Sequence, residues 1–290
     1  MPPLRGRRYP ICTKTVKSMS TNVQSYKKSS FGPAFFFLSK RRREALAHYY
    51  EFCRLMDDLA DEPNIPNPGR QLDDWEAEVH RMYDGTPQTE LGRLLQADAR
   101  EFSMPPDRFL LLIEGMRADL TGRTYPTQQA LDWYIYRVAA VVGLATLDIL
   151  GVQGKQAEAL AWQEGAAVQL TNIIRDVPED AKLGRVYIPE ELLTRFGLTR
   201  QDVLDNRAPR VLAAALQELA AQAEAYYEAA FKQMAGFARL KMIPCRVMGY
   251  VYLKNLAKIK KTGFLFARPV KLTKNEKLYS IAYALFKTFF

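Results

Sequence analysis

Apolar side chains recur every three or four residues along most of this chain, and that spacing predicts α-helices rather than strands. Prolines and glycines interrupt the pattern, for example at Pro63 and at Pro105, where we expect helices to end. The predicted helices cover residues 45–61, 72–83, 88–102, 106–120, 128–150, 156–177, 192–205 (with turns), 211–237 and 242–259, the last strong one. No strand pattern competes with them, so we predict an all-α fold.

The composition supports one helical domain, or two closely merged ones, with a large core. The chain has 290 residues, of which 48% are hydrophobic and 25% charged. Its three cysteines (Cys12, Cys53 and Cys245) and two histidines (His48 and His80) show neither metal-ligand spacing nor a pairing pattern. These observations argue against a zinc site and against a disulfide framework.

Both ends of the chain are cationic. Residues 1–43 hold eleven Lys and Arg and no acidic residue, and residues 241–290 hold eleven against Glu276 alone. Each Lys or Arg near a bilayer contributes roughly 1 kcal/mol, so an anionic membrane surface is a candidate partner, with plain solvated charge as the alternative. Nucleic acid is not expected, because no recognised reading motif is present. No transmembrane segment is expected either, since the longest apolar run, 138–150, is shorter than the roughly twenty residues of a spanning helix.

The first thirty residues are basic and rich in Ser and Thr, which partly fits a transit peptide, but they lack a clear amphipathic period. We interpret residues 1–28 as a disordered lead or a mis-assigned start, with Met19 as an internal alternative. The expected location is the cytoplasm, with peripheral attachment to a membrane as an option. Organelle import is the less favoured alternative.

Residues 168–189 carry polar groups on one face of a predicted helix. Gln169, Asn172, Asp176 and Asp180 follow one another at steps of three, four and four, which places their side chains on one side. The intervening Leu, Ile and Val residues form the apolar stripe that would hold this helix in a core. Carboxylates one turn apart repel each other, and a bound cation removes that cost. Pro178 lies between the two aspartates and predicts a kink that displaces Asp180.

A second stretch, residues 49–62, has the same form. Asp57 and Asp61 stand four apart, and Arg54 precedes Asp57 and Asp58 by one turn. A solvated helix face with local ion pairs explains either stretch alone equally well. Two matching stretches favour a shared site, because oxygen-only ligands suit Mg²⁺ (or Mn²⁺) whose coordination is completed by substrate phosphates. The implied ligand is a diphosphate.

Both stretches resemble the signature motifs of the squalene and phytoene synthase family. The first is similar to Tyr-x-x-Cys-Arg-x-x-Asp-Asp-x-x-Asp and is matched by Tyr50, Cys53, Arg54, Asp57, Asp58 and Asp61. The second is similar to Gln-x-x-Asn-x-x-Arg-Asp-x-x-Glu-Asp followed by Gly-Arg-x-Tyr-x-Pro, and is matched from Gln169 to Asp180 and then by Gly184, Arg185, Tyr187 and Pro189. Weaker similarity to the same family runs from residue 29 to residue 268 and includes Tyr136. We take this range as the catalytic domain and residues 269–290 as a basic C-terminal tail.

The resemblance implies a class I isoprenoid synthase-like helical bundle with a central cavity. It also implies a Mg²⁺-dependent prenyl transferase that joins two farnesyl or geranylgeranyl diphosphates head to head through a cyclopropylcarbinyl diphosphate. The product would be presqualene diphosphate, squalene or phytoene, for hopanoid, sterol or carotenoid biosynthesis. The sequence of residues 136–143 resembles bacterial presqualene diphosphate and phytoene synthases more closely than the membrane-anchored, reductase-type squalene synthases. No Gly-rich nucleotide fingerprint is present, so no NADPH is expected for the first step.

The resemblance further implies roles for individual residues. The metal ligands would be Asp57, Asp58, Asp61, Asn172, Asp176 and Asp180. The substrate diphosphates would be bound by Ser30, Arg54, Gln169, Asn172, Arg175 and Arg185. The catalytic residues would be Asp57, Asp61, Asp176, Asp180, Tyr50, Tyr136 and Tyr187, with the tyrosines facing diphosphate or the allylic cation.

Two alternatives from other functional classes stay open. A non-catalytic helical assembly factor on the same fold would be expected to have lost acidic residues, which this chain retains. A head-to-tail prenyl diphosphate synthase or terpene cyclase also uses paired acidic motifs with Mg²⁺, but would lack the continuation from Gly184 to Pro189. Gly143, inside a predicted helix, also has two explanations, namely close helix packing or room for a long isoprenoid chain.

Overall fold

The computed structural model describes residues 38–62 and 64–289, and this part of the chain contains helices and no β-strand. The all-α prediction is therefore confirmed. The helices are α1 (Lys40–Asp61), α2 (Pro68–Asp84), α3 (Glu90–Phe102), α4 (Asp107–Leu120), α5 (Gln128–Ile135), a π-helical turn (Tyr136–Ala140), α6 (Val141–Leu150), α7 (Lys155–Lys182), α8 (Glu190–Arg195), α9 (Arg200–Leu204), α10 (Pro209–Met234), α11 (Ile243–Lys261) and α12 (Lys274–Phe289).

Side-chain caps explain where several helices begin. The hydroxyl of Thr89 accepts a hydrogen bond from the Gly92 amide at 2.9 Å at the start of α3. Thr127 accepts one from the Ala130 amide at the start of α5. Such caps satisfy amide groups that have no partner within the helix. The cap at Thr127 fixes the start of α5, which leads into the π-helical turn.

Helix α7 is the centre of the bundle and packs against α10, α11, α6 and the π-helical turn. Two large apolar clusters form the core. One lies mainly among α1 to α4 and includes Phe52, Met56 and Phe109, which are fully buried. The other lies mainly between α7 and α10 and includes Ile174 and Leu219. Both acidic motifs are carried by helices whose other faces belong to these clusters.

The single helix predicted for residues 128–150 is interrupted by the π-helical turn at Tyr136–Ala140. Such turns are frequent at functional sites, because the wider backbone spacing redirects side chains.

The segment Gln128–Leu150 is long and apolar enough to span a membrane, and it is the one such helix in the described part of the chain. Core helices pass the same test, and 56% of its apolar window is buried within the bundle.

The prediction that the helix begun at residue 156 ends near Val177 is wrong, because α7 continues to Lys182 with Pro178 inside it. Proline removes only one backbone donor, and this one lies near the end of the helix, where few hydrogen bonds follow. Asp176 and Asp180 therefore remain on one helix.

A further correction concerns the C-terminal segment. Residues 242–259 were predicted to form the last strong helix, but α12 follows it and packs against α11. Small side chains at Ser280, Ala284 and Thr288 form its buried face. These residues stand four apart, which is a helical spacing, but two of the three are polar and give no apolar signal.

Candidate active site

A cavity of about 470 Å³ lies between α1, α4, α7, α11 and the segment around the π-helical turn. Its walls are largely apolar and include Leu112, Met116, Val142 and Met248. Polar groups gather where α1 and α7 carry the two acidic motifs. Of the residues predicted for the site, Tyr50, Arg54, Asp57, Asp58, Gln169 and Asn172 line this cavity. The structure thus brings part of each motif to one opening.

The other predicted residues lie around this opening or away from it. Arg185 forms an ion pair with Asp61, and its second amino group donates a hydrogen bond to the carbonyl of Ala60 at 2.8 Å. This contact joins the loop after α7 to the C-terminal end of α1, so the two motifs meet directly. Tyr136 is 37% exposed and does not line the cavity, and Ser30 lies outside the described residues. The roles predicted for these residues stay predictions.

Asp119 on α4 is a member of the acidic group that the sequence analysis missed. Its carboxylate accepts hydrogen bonds from the hydroxyls of Tyr187, at 2.7 Å, and Tyr134, at 2.9 Å. Burial raises the pKa of Asp119 to about 6, although the Tyr187 hydrogen bond and the charge of Arg185 oppose this. An isolated aspartate has no acidic partner one turn away, so helical spacing gave no signal for it.

Tyr187 was predicted to face diphosphate or the allylic cation, and this role stays a prediction. In the structure its hydroxyl donates a hydrogen bond to Asp119. Its ring stacks on those of Tyr125 and Tyr134, with centroids 5.7 and 5.1 Å away. The side chain is buried, which fits a role in orienting the Asp119 carboxylate.

The carboxylates around the opening repel one another. Burial raises the pKa of Asp57 to about 6, and the charges of Asp61 and Asp58 raise it further. Burial likewise raises the pKa of Asp180 to about 7, with the charge of Asp176 as the next cause. Unbalanced negative charge of this kind is what a bound cation would relieve.

Asn172 supplies a second sign of a cation site. Its side-chain carbonyl oxygen is buried and has no hydrogen-bond partner among the described residues, which is costly unless a ligand satisfies it. The described residues contain no compact group of three or more His, Cys, Asp or Glu that would hold a metal unaided. Oxygen ligands on two facing helices fit Mg²⁺ that takes the rest of its coordination from water and phosphate.

Besides Arg185, the two other predicted diphosphate-binding arginines are also paired with carboxylates. Arg175 makes two hydrogen bonds to the neighbouring Asp176, at 2.8 and 2.5 Å. Burial lowers the pKa of Arg175, but the Asp176 carboxylate more than compensates, so its pKa is raised overall. Arg54 is largely exposed and lies 3.7 Å from Asp58. Both guanidinium groups would have to exchange a carboxylate for a phosphate when substrate binds.

Comparison with known proteins agrees with this geometry. The family model for squalene/phytoene synthase matches residues 25–276. The presqualene diphosphate synthase of Rhodopseudomonas palustris is 35% identical over 86% of this chain and 90% of its own length. The chloroplastic phytoene synthase 2 of Solanum lycopersicum is 32% identical over 84% of this chain and 82% of its own.

The fold also has close counterparts among solved structures. A dehydrosqualene synthase crystallised with a ligand superposes with a TM-score of 0.82 at 28% identity, covering 92% of this chain and 94% of that one. Its fold is the all-α isoprenoid synthase fold, so the predicted architecture is confirmed. With both acidic motifs placed at one apolar cavity, the chain belongs to the squalene/phytoene synthase family, whose members are prenyl transferases.

Proposed function

We propose that this protein joins two isoprenyl diphosphates head to head to form a cyclopropylcarbinyl diphosphate. The observation that carries the proposal is the apolar cavity with Asp57, Asp58 and Asn172 at its opening. An isoprenyl diphosphate has the matching form, since it joins an apolar chain to a highly charged end. The relatives named presqualene diphosphate synthase and phytoene synthase support the same reaction class.

The reaction begins when the allylic C–O bond of one substrate breaks and diphosphate leaves. The double bond of the second substrate attacks the resulting cation, and loss of a proton closes the cyclopropane. Mg²⁺, when bound by Asp57, Asp61, Asn172, Asp176 and Asp180, would supply the positive charge that stabilises the leaving diphosphate. The departing diphosphate is also the proposed acceptor of the proton.

The side chains of this chain contribute in three ways. Arg54 and Arg185 would bind diphosphate oxygens through their planar guanidinium groups. The apolar cavity walls exclude water, which would otherwise quench the allylic cation. Tyr50 lines the cavity near Asp57 and could present its ring face to the cation. No reductant is needed for this step, so we propose that it proceeds without NADPH.

The two alternative functions have less support. An assembly factor would not need to keep Asp57 and Asp180 buried against other carboxylates, because that arrangement only weakens the fold. A head-to-tail synthase or terpene cyclase would lack the continuation from Gly184 to Pro189. In this chain Arg185 of that continuation contacts Asp61 and Ala60 of the first motif, which disfavours this alternative.

The test is to incubate the purified protein with Mg²⁺ and farnesyl or geranylgeranyl diphosphate, without reductant, and to analyse the extract by mass spectrometry. We expect a thirty-carbon diphosphate from the farnesyl substrate, or a forty-carbon product from the geranylgeranyl substrate. A sample treated with a chelator should give neither. Binding of diphosphate without turnover of either substrate would contradict the proposal and favour the assembly factor.

A further inference from the structure

Glu164 lies at the inner end of the cavity. Along α7 the lining residues run from Asn172 through Gln169, Val168 and Gly165 to Glu164, which is the last of them. At 1.5 Å per residue, Glu164 lies about 12 Å from Asn172 along the helix axis. On α11 the lining residues end at Cys245 and Pro244, and Cys245 neighbours Glu164. The cavity lining of both helices thus ends at the same level.

The environment of Glu164 is unusual for a carboxyl group. The residue is 5% exposed, and its Oε1 atom has no hydrogen-bond partner in the part of the chain that is described. Burial raises the pKa of Glu164 to about 8, with the Cys245 thiol and the Gly249 amide acting in the opposite direction. Neither motif includes this residue, and it has no part in the proposed chemistry at the cavity opening.

We propose that Glu164 limits the length of the prenyl chain and makes the fifteen-carbon farnesyl diphosphate the preferred substrate over the twenty-carbon geranylgeranyl diphosphate. This inference rests on the proposed function and names the substrate of that same site. Only a small part of the Glu164 side chain still faces the cavity, and a hydrocarbon chain that reaches the inner end would take that part out of water without offering it a hydrogen bond. Leaving a buried polar group unsatisfied is costly, so the longer chain is penalised more.

The test is a competition between equal amounts of farnesyl and geranylgeranyl diphosphate, read out as thirty-carbon against forty-carbon product. The wild-type protein should favour the shorter product. Glu164→Met should shift the ratio towards the longer product by at least about tenfold, because an apolar side chain of similar length removes the penalty. Glu164→Gln keeps a polar group and should retain the wild-type preference.

Gln163→Leu is the matched control, because Gln163 is a neighbouring polar residue on α7 that does not line the cavity. Its product ratio should equal that of the wild type. A wild-type preference for the longer substrate, or an unchanged ratio in Glu164→Met, would overturn the inference while leaving the proposed function intact. Absence of product from both substrates would instead contradict the proposed function.

A separate observation concerns the outer face of α12. Five of its large apolar side chains are exposed, namely Leu278, Tyr279, Tyr283, Phe286 and Phe289, by between 39% and 66%. At 3.6 residues per turn they fall within an arc of about 140°, opposite the buried Ser280, Ala284 and Thr288. Lys274 and Lys287 fall about 40° beyond the two edges of this arc. The helix is therefore apolar towards solvent and cationic at its borders.

The surroundings of this face are cationic too. The Lys254 ammonium lies 5.5 Å from the ring centroid of Tyr279, and that of Lys287 lies 5.9 Å from Tyr283. The acidic Glu276 on this helix is neutralised by Lys258 at 2.7 Å. Aromatic rings bordered by lysines are typical of helices that lie in the interface of a bilayer.

We infer that the outer face of α12 docks on an anionic lipid bilayer. The exposed rings would enter the boundary between headgroups and acyl chains, and the bordering lysines would bind anionic headgroups. This inference does not depend on the proposed reaction, because it rests on exposed surface and charge alone.

The test is sedimentation of the full chain with vesicles of phosphatidylcholine, with and without phosphatidylglycerol. The wild type should pellet with the anionic vesicles, and the double variant Leu278→Gln/Phe286→Gln should lose at least about tenfold in binding. Leu240→Gln is the matched control, since Leu240 is 65% exposed outside α12. Equal binding by the double variant, or a lipid-free dimer that this variant disrupts, would overturn the inference.

Discussion

Replacing Asp176 by asparagine is expected to reduce prenyl transfer at least about 100-fold while the protein folds normally. Loss of groups that merely support a metal ligand typically costs 10- to 100-fold, and a ligand itself should cost no less. Steady-state turnover of farnesyl diphosphate with Mg²⁺ measures the effect. The reduction should appear in kcat, because the Mg²⁺ that Asp176 would hold acts on the leaving diphosphate.

Asp176 has two opposing effects on the fold, because it repels Asp180 but also pairs with the guanidinium group of Arg175. Its charge helps to raise the pKa of Asp180 to about 7. Asparagine has the same shape and can still accept a hydrogen bond from Arg175. The relief of this repulsion offsets the weaker pairing with Arg175, so without Mg²⁺ we expect the thermal midpoint of the variant to stay close to that of the wild type.

Glu158→Gln is the matched control, since it removes one exposed carboxylate from the first turn of the same helix. Its turnover should be unchanged. Full activity of Asp176→Asn would show that Asp176 is not a catalytic residue. A large fall in its thermal midpoint would show that Asp176 has a structural role instead.

Replacing Gly165 by alanine is expected to lower the free energy of unfolding by about 1–3 kcal/mol. A Cβ at this position would lie 2.8 Å from both the amide nitrogen and the Cα of Ala140. These are backbone atoms of the π-helical turn, so relief requires α7 and that turn to move apart. The gain in helix propensity, about 1 kcal/mol, offsets part of the clash. Equilibrium unfolding in urea measures the difference.

Gly143→Ala provides the comparison for this prediction. A Cβ at Gly143 would approach the side chain of Ala161 to 3.3 Å, a contact that a small shift can relieve. We expect its unfolding free energy to stay within about 1 kcal/mol of the wild type. Equal losses of unfolding free energy in the two alanine variants would show that the contact with the Ala140 backbone is not what destabilises Gly165→Ala.

The structure supports both explanations of Gly143 that the sequence left open. The residue lines the cavity, and it also packs closely against Ala161 of α7. Sequence reasoning could not choose between them, because a small residue inside a helix serves close packing and open space equally well. Which neighbour lies opposite is a property of the assembled bundle.

Local spacing was enough to predict most helices and both acidic motifs. Apolar periodicity reports which face of a helix is buried, and carboxylates four apart share a face in any helix, so neither depends on the rest of the fold. The assignment of Asp57 and Asn172 to one site needs more than spacing, because it rests on the match between the two stretches and on the family resemblance.

Only the tertiary structure could reveal Asp119, its hydrogen bond from Tyr187 and the buried Glu164. Asp119 and Tyr187 are 68 residues apart and meet through one hydrogen bond. Glu164 falls at the inner end of the cavity, where the cavity-lining residues of α7 and α11 end. Sequence periodicity fixes the face on which a side chain lies, whereas its partners depend on how distant helices pack, and that packing decides its chemistry.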